Sequence, residues 1–410
     1  MQYRTMKKTD DQLSALGFGC MRLPRKGMGV DTERAVKQIR YAIDHGVNYL
    51  DTALLYGSSE SVVGKALEDG YRAKVKVATK LPAGQVKKRE DMDRLLDVQL
   101  QSLKTDHVDY YLLHNLSVSD WGKMKALAVA DFITSAKADG RIRHIGFSCH
   151  AGTADFKQLV DAYDWDFCQI QYNILDETNQ AGKEGLKYAA SKGLGVVIME
   201  PLRGGSLARA PPGEVQAIWD EADVKRSPAE WALRWVWDHP EVTVVLSGMN
   251  DERHIEENLR VAGEALPGSL TEKEVQLIGR VKDAYRRLMK VGCTGCQYCM
   301  PCPAGVNIPA CFESYNNIYL GSSIPAKVMY IMNVGGGLDG KGTKGLASQC
   351  KSCGKCVKVC TQHIDIPGQL KAAARELESP GMKAMAIVMR PGFRAFMGVS
   401  RWRNLRKART

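Results

Sequence analysis

Eight cysteines, spaced as Cys293-x2-Cys296-x2-Cys299-x2-Cys302 and Cys350-x2-Cys353-x2-Cys356-x3-Cys360, form the densest patch of reactive side chains in this sequence. Nine of the twelve cysteines fall between Cys293 and Cys360; only Cys20, Cys149 and Cys168 come earlier. The first residues, Met1 to Lys8, lack the apolar stretch of a secretory signal, so the expected location is cytoplasmic. In that compartment such density favours metal or cluster ligation over disulfides. Three thiolates two residues apart, with a fourth further off, suit the corners of an iron–sulfur cubane. Zinc is the competing occupant, yet two zinc sites would need only two C-x2-C pairs each. The expectation is two [4Fe–4S] clusters on these eight cysteines.

Each motif is followed at equal distance by a similar phrase. Val306-Asn307-Ile308-Pro309 is echoed by Ile364-Asp365-Ile366-Pro367. This is an internal pseudo-duplication, as two equivalent halves would give. The second motif resembles the bacterial ferredoxin run, whose fourth cysteine ligates the other cluster in two-cluster proteins. The resemblance implies that Cys293, Cys296 and Cys299 pair with Cys360, and that Cys350, Cys353 and Cys356 pair with Cys302. Cys311 reads as a buried structural thiol.

A second set of chemistry-bearing residues lies early in the chain. Asp51, Lys80 and His114 each end an apolar run, and Tyr56 follows Asp51 closely. Any one of them alone could be a solvated charge or a packing residue. Four at the same ends of neighbouring runs are harder to dismiss.

The elements that must position them are readable. Strand candidates are 16–20, 48–53, 75–80, 108–114, 142–149, 167–173, 195–201 and 242–248. Helical periodicity fills the spaces between, for example at 32–45, 91–103, 126–139 and 182–191. Near-continuous apolar strands alternating with helices indicate a parallel sheet covered on both faces. Eight such units in about 250 residues match a (β/α)8 TIM barrel, whose catalytic groups project from the C-terminal strand ends. A doubly wound sheet would place a G-x-G-x-x-G loop after an early strand, and none is found. The residues around Asp10-Asp11 suggest a hairpin plugging the barrel bottom. The predicted division is an α/β barrel over 1–270, a linker helix (about 271–290) with a small, mainly helical ferredoxin-like module to 380, and a tail over 381–410.

Asp51-Thr52-Ala53-x-x-Tyr56-Gly57-x-Ser59-Glu60, Lys80 in Ala-Thr-Lys and His114 in Tyr-Leu-Leu-His resemble the signature of the aldo-keto reductases, in its iron–sulfur-containing branch. The likeness covers roughly 1–265 and implies carbonyl–alcohol chemistry on a small substrate with NADP(H) or NAD(H). Hydride delivery to a carbonyl leaves an alkoxide that needs a proton, and Tyr56 would be the acid. Lys80 would lower its pKa, Asp51 would hold Lys80, and His114 would orient the carbonyl oxygen. By the same resemblance Ser148 and Gln171 hold the nicotinamide carboxamide, and Met199 stands where an aromatic residue usually stacks. Phosphates would lie at the loops containing Leu202, Ser247 and Gly248, and Glu257 and Asn258 on the adenine side. The family's two cations for the 2′-phosphate fall on Gly248 and His254, with Asn250 and Arg253 as substitutes.

Charge locates a third region. The net charge is +11, but residues 381–410 hold eight Lys or Arg and no acid. A basic tail rather than a basic surface argues against nucleic-acid binding. Its apolar residues suggest self-packing, docking to an acidic redox partner, or peripheral membrane contact. No apolar run is long enough to span a membrane. Hydride moves electrons in pairs whereas cubanes pass them singly, so a mediator such as a flavin would be needed to join the two centres. The alternative reading is an electron-transfer or partner-docking protein whose barrel does not use nicotinamide.

Overall fold

The eight apolar runs become the staves of one closed, all-parallel barrel: β1 (Leu16–Gly19), β2 (Tyr49–Asp51), β3 (Lys76–Pro82), β4 (Val108–His114), β5 (Ile142–Cys149), β6 (Phe167–Gln171), β7 (Gly195–Met199) and β8 (Val244–Ser247). This computed structural model describes residues 1–27, 29–320, 326–327, 330–331, 334 and 345–379. The tail from 381 and the glycine-rich 335–344 lie outside the described residues.

Strand register explains why the barrel mouth is chemically rich. Asp51 pairs with Ala78, Lys80 with Leu112, and Pro82 with His114. Lys80 is two residues beyond Ala78, and His114 two beyond Leu112. Side chains alternate with period two, so Asp51, Lys80 and His114 share the interior face. The same count continues around the barrel. Gln169 pairs with Ser148 and Gln171 with Met199, which places Ser148, Gln171 and Met199 on that face too.

Below the mouth, Tyr49, Ala78, Tyr110, Leu112, Phe167 and Val197 fill the interior. The bottom is closed by the expected hairpin, Tyr3–Met6 against Asp11–Ser14, which sends Met6 and Leu13 into that cluster. Gly195 makes room for it: a Cβ there would come 1.5 Å from the Met6 sulfur. The helices start where capping chemistry directs. Asp31, Ser117 and Ser227 accept the amide hydrogens of Arg34, Asp120 and Glu230, and Pro228 opens the last of these helices. The helix expected at 126–139 is observed as Val129–Ala138, preceded by Ala128 in a left-handed conformation, φ 55°, and a separate helix, Val118–Ala126, comes before it.

The chain divides into two compact units. One comprises Met1–Arg209 with Val224–Ile278; the other comprises Ala210–Asp223 with the chain from Gly279 onward. The division falls within helix Glu272–Leu288. In the second unit, helices Ile308–Leu320 and Ile366–Leu377 begin at the two echoed phrases. Asn307 and Asp365 stand at the equivalent cap positions, accepting the amides of Ala310 and Gly368, with a proline following in each first turn. The echo is therefore a repeated helix start. These helices supply Ile308, Phe312, Ile366 and Leu370 to a core of their own, with Cys311 fully buried among them.

Candidate functional site

At the mouth, Lys80 Nζ lies 2.7 Å and 2.6 Å from the two carboxylate oxygens of Asp51, and donates at 2.7 Å to the Thr52 carbonyl. Lys80 is 1% exposed and Asp51 3%. Burial raises the Asp51 carboxyl above its ordinary value, with Lys80 opposing the rise, and both carboxylate oxygens face the ammonium. Removing one member strands a charge. Lys80→Met is expected to lower stability by about 3–5 kcal/mol, and adding Asp51→Asn to recover part of the loss. Urea midpoints of the two variants check this.

Tyr56 lies on the turn Leu54–Tyr56 after β2, its ring centroid 5.0 Å from Lys80 Nζ and 5.9 Å, edge-on, from the His114 ring. The four residues read from the sequence are thus brought together. Burial, then the charges of Asp51 and Glu200, hold the Tyr56 phenol well above its ordinary value. The lowering expected from Lys80 is not found: burial dominates, and the cation opposing it is Arg22. Burial, then Lys80 and His150, push the His114 imidazole down to about 3. It is a neutral ring with an N–H to donate.

Ser59 and Glu60 brace the site rather than join it. Ser59 is within hydrogen-bond reach of Thr52 Oγ1, at 2.7 Å, and donates to the Cys20 carbonyl. Glu60 accepts from Thr79 and Gln99, and Gln99 also donates to the Lys80 carbonyl. These bonds fix the strand ends carrying Asp51 and Lys80.

Ser148 Oγ accepts the Asn115 amide at 2.9 Å, which places it beside His114. Gln171 donates to Asp176 and accepts from Gln180. Asp176, a buried hub that also receives Asn173 and Arg203, was not foreseen from the sequence. Met199 lies against the interior cluster and within 3.7 Å of Gln169 Nε2.

A cavity of about 330 Å³ opens among the loops after β1, β7 and β8. Leu202, Ser247, Gly248, Asn250, Glu257 and Asn258 line it as the sequence reading expected. Asn258 donates to Ser247 at 2.9 Å, joining the last barrel helix to β8. Arg253 is not brought into the cavity: its side chain is 87% exposed and paired with Asp251. Three lining residues that matter were missed, namely Arg22, Glu200 and Arg209. Glu200 carried a usable signal, since it follows a strand end as directly as any residue that was picked.

In the second unit the cysteine thiols fall into two mixed groups. The residues whose charges bear on Cys299 are Cys296, Cys293 and Cys360. Those bearing on Cys356 are Cys350, Cys302 and Cys353. The Cys296 sulfur lies 3.7 Å from the Thr361 hydroxyl, next to Cys360. The donor set thus fits two clusters. Cys311, against the Gly345 carbonyl at 3.4 Å, lies outside the two spaced motifs, and burial pushes its thiol up to about 12.

Residues 15–282 match the aldo/keto reductase family, and residues 292–364 match a 4Fe-4S dicluster domain. The NADH-specific methylglyoxal reductase of Escherichia coli K12 is 26% identical over 326 residues, covering 68% of this chain and 98% of its own. Among solved structures, aldo-keto reductase AKR11C1 of Bacillus halodurans in its holo form has a TM-score of 0.57 at 28% identity, covering 68% of this chain and 96% of that one. An aldo-keto reductase of Klebsiella pneumoniae in complex with NADPH has a TM-score of 0.57 at 24% identity, covering 69% of this chain and 95% of that one. Neither family match supports a flavin. Among the described residues no helix is long and apolar enough to cross a membrane.

Proposed function

The chain belongs to the aldo/keto reductase family and carries a 4Fe-4S dicluster domain, and from that premise we propose that it interconverts a carbonyl and an alcohol using a nicotinamide dinucleotide, with Tyr56 as proton donor. The observation that carries this reading is the Asp51–Lys80 pair, buried and locked beneath Tyr56 and beside His114. A structural ion pair has no need of a phenol and a neutral imidazole above it.

The residues present fit a dinucleotide. The cavity lies where barrels hold phosphate, in the loops after β7 and β8. Gly204 and Gly205 take positive φ there, and a Cβ on Gly205 would meet nothing within 4 Å, so the backbone is open to close approach. Ser247, Asn250 and Asn258 supply neutral polar groups. When bound, the dinucleotide supplies or accepts the hydride.

The chain's own residues do the rest. His114 donates its N–H to the substrate oxygen without adding charge. The Tyr56 O–H gives its proton to the oxygen as the alkoxide forms. Lys80, fixed by Asp51, keeps a positive charge beneath the resulting phenolate. In the oxidising direction the phenolate takes the alcohol proton. The eight cysteines of the module would hold two one-electron clusters, Cys293, Cys296, Cys299 and Cys360 on one and Cys350, Cys353, Cys356 and Cys302 on the other.

The test is an anaerobic titration with NADPH, then NADH, following nucleotide fluorescence and the visible cluster band together. Binding of at least one nucleotide is expected. Bleaching of the band would show that the barrel and the clusters exchange electrons. Binding of neither would overturn the reading in favour of an electron-transfer protein on a barrel that does not use nicotinamide.

A further inference from the structure

Arg22 and Glu200 face one another across the cavity, from the loops after β1 and β7. Arg22 Nη2 stands 3.5 Å from Glu200 Oε1, a loose pair by ion-pair standards. The Glu200 side chain is only 11% exposed, and among the described residues nothing donates to its Oε2. Its backbone is held left-handed, φ 56°, while its carbonyl accepts from Asn173. A buried, half-satisfied carboxylate on a strained backbone is costly, and such arrangements gather at functional sites.

Gly248 supplies the second observation. A Cβ there would lie 3.6 Å from the Arg22 Cβ. Arg22 therefore runs beside a glycine, bringing a cation from the loop after β1 to a place where Gly248 of the loop after β8 presents no side chain.

Resting on the functional reading above, we propose that Arg22 is the cation that grips the dinucleotide's pyrophosphate, held ready by Glu200, and that arrival of the dinucleotide draws it away and leaves Glu200 to take up a proton. The carboxylate and one solvent proton become the carboxylic acid, whose O–H relieves the unpaired oxygen. No bond to the ligand forms or breaks.

The groups facing Glu200 are Arg22, Arg203 from its own loop, Asp176 from the loop after β6, and Tyr56 from the loop after β2. Arg203 is already committed to Asp176, at 3.1 Å. Burial raises the Glu200 carboxyl even with Arg22 and Arg203 opposing it. Pyrophosphate charge and the loss of Arg22 act in the same upward direction. With the bound-state pKa above the free-state one, affinity is greatest below the free-state pKa and falls as pH rises towards the bound-state value.

The experiment is calorimetric titration of the full chain, clusters intact, with NADPH and NADH in Pipes and in Tris, whose heats of ionisation differ. The expected result is buffer-dependent heat corresponding to uptake of up to about one proton, with Kd weakening by up to about tenfold per pH unit. Glu200→Gln should bind at least as tightly with no buffer dependence. Arg22→Gln should bind about ten- to a hundredfold more weakly, the worth of a charged hydrogen bond. Wild-type binding with buffer-independent heat, or with proton release because an ionised Glu200 accepts a ribose hydroxyl, overturns the inference. If neither dinucleotide binds, the functional reading itself falls, and this inference with it.

Discussion

Replacing Tyr56 with phenylalanine is expected to lower kcat for carbonyl reduction by about 10²–10⁴-fold, the usual worth of a positioned general acid. Dinucleotide affinity should stay within about twofold, because only one oxygen is removed and the ring keeps its place. That place is well defined, above Lys80 and edge-on to His114. The pH profile sharpens the test. Burial and Asp51 hold the phenol above its ordinary range, and His114 is pushed down to about 3. Neither group changes charge near neutrality, so wild-type kcat should show no ionisation from them between about pH 5 and 9. A Tyr56→Phe enzyme retaining more than about a tenth of wild-type kcat would assign the proton to another donor.

The barrel and its mouth were legible for a reason of periodicity. Strands buried on both faces read as unbroken apolar runs, so an ionisable residue ending one stands out. Asp51, Lys80 and His114 stood out in that way, and the shared interior face is a consequence of register that the run lengths already imply. The helix at 32–45 was legible by periodicity, and Asp31 caps its start; the starts capped by Ser117 and Ser227 were not named beforehand. Ala128 was not legible: an alanine in a left-handed conformation gives no signal, so the helix was read from 126 rather than from Val129.

What stayed hidden at the site depended on contacts between distant segments. Asp176 is an ordinary loop acid until Gln171, Asn173 and Arg203 converge on it. Arg22 and Glu200 are separated by most of the barrel sequence and meet only on closure, when β8 pairs with β1. Conversely, Ser59 and Glu60 stand in the same signature as Asp51 and Tyr56 without a chemical role of their own. Their hydrogen bonds tie strands together, a role that spacing cannot distinguish from chemistry.

The cysteine module yields the second large effect, through a set of paired substitutions. If each cluster draws three thiolates from one motif and one from the other, Cys360→Ala should lose the cluster of Cys293, Cys296 and Cys299 and keep that of Cys350, Cys353, Cys356 and Cys302. Iron should fall from about eight to about four atoms per chain. Combining Cys360→Ala with Cys296→Ala should cost nothing further, because both remove the same cluster; combining it with Cys353→Ala should remove nearly all the iron. Clusters confined to single motifs would reverse the two double variants, since Cys360 and Cys353 would then serve one centre. Iron and sulfide analysis, with EPR of the reduced protein, separates the cases. The reason to expect crossing is the company each thiol keeps: Cys299 is influenced by Cys360, Cys356 by Cys302, and Cys296 touches the residue following Cys360. Crossing would also explain how so small a core, built on two short helices that begin at repeated phrases, holds together. Each cluster would then tie one half to the other, the kind of staple that small domains require.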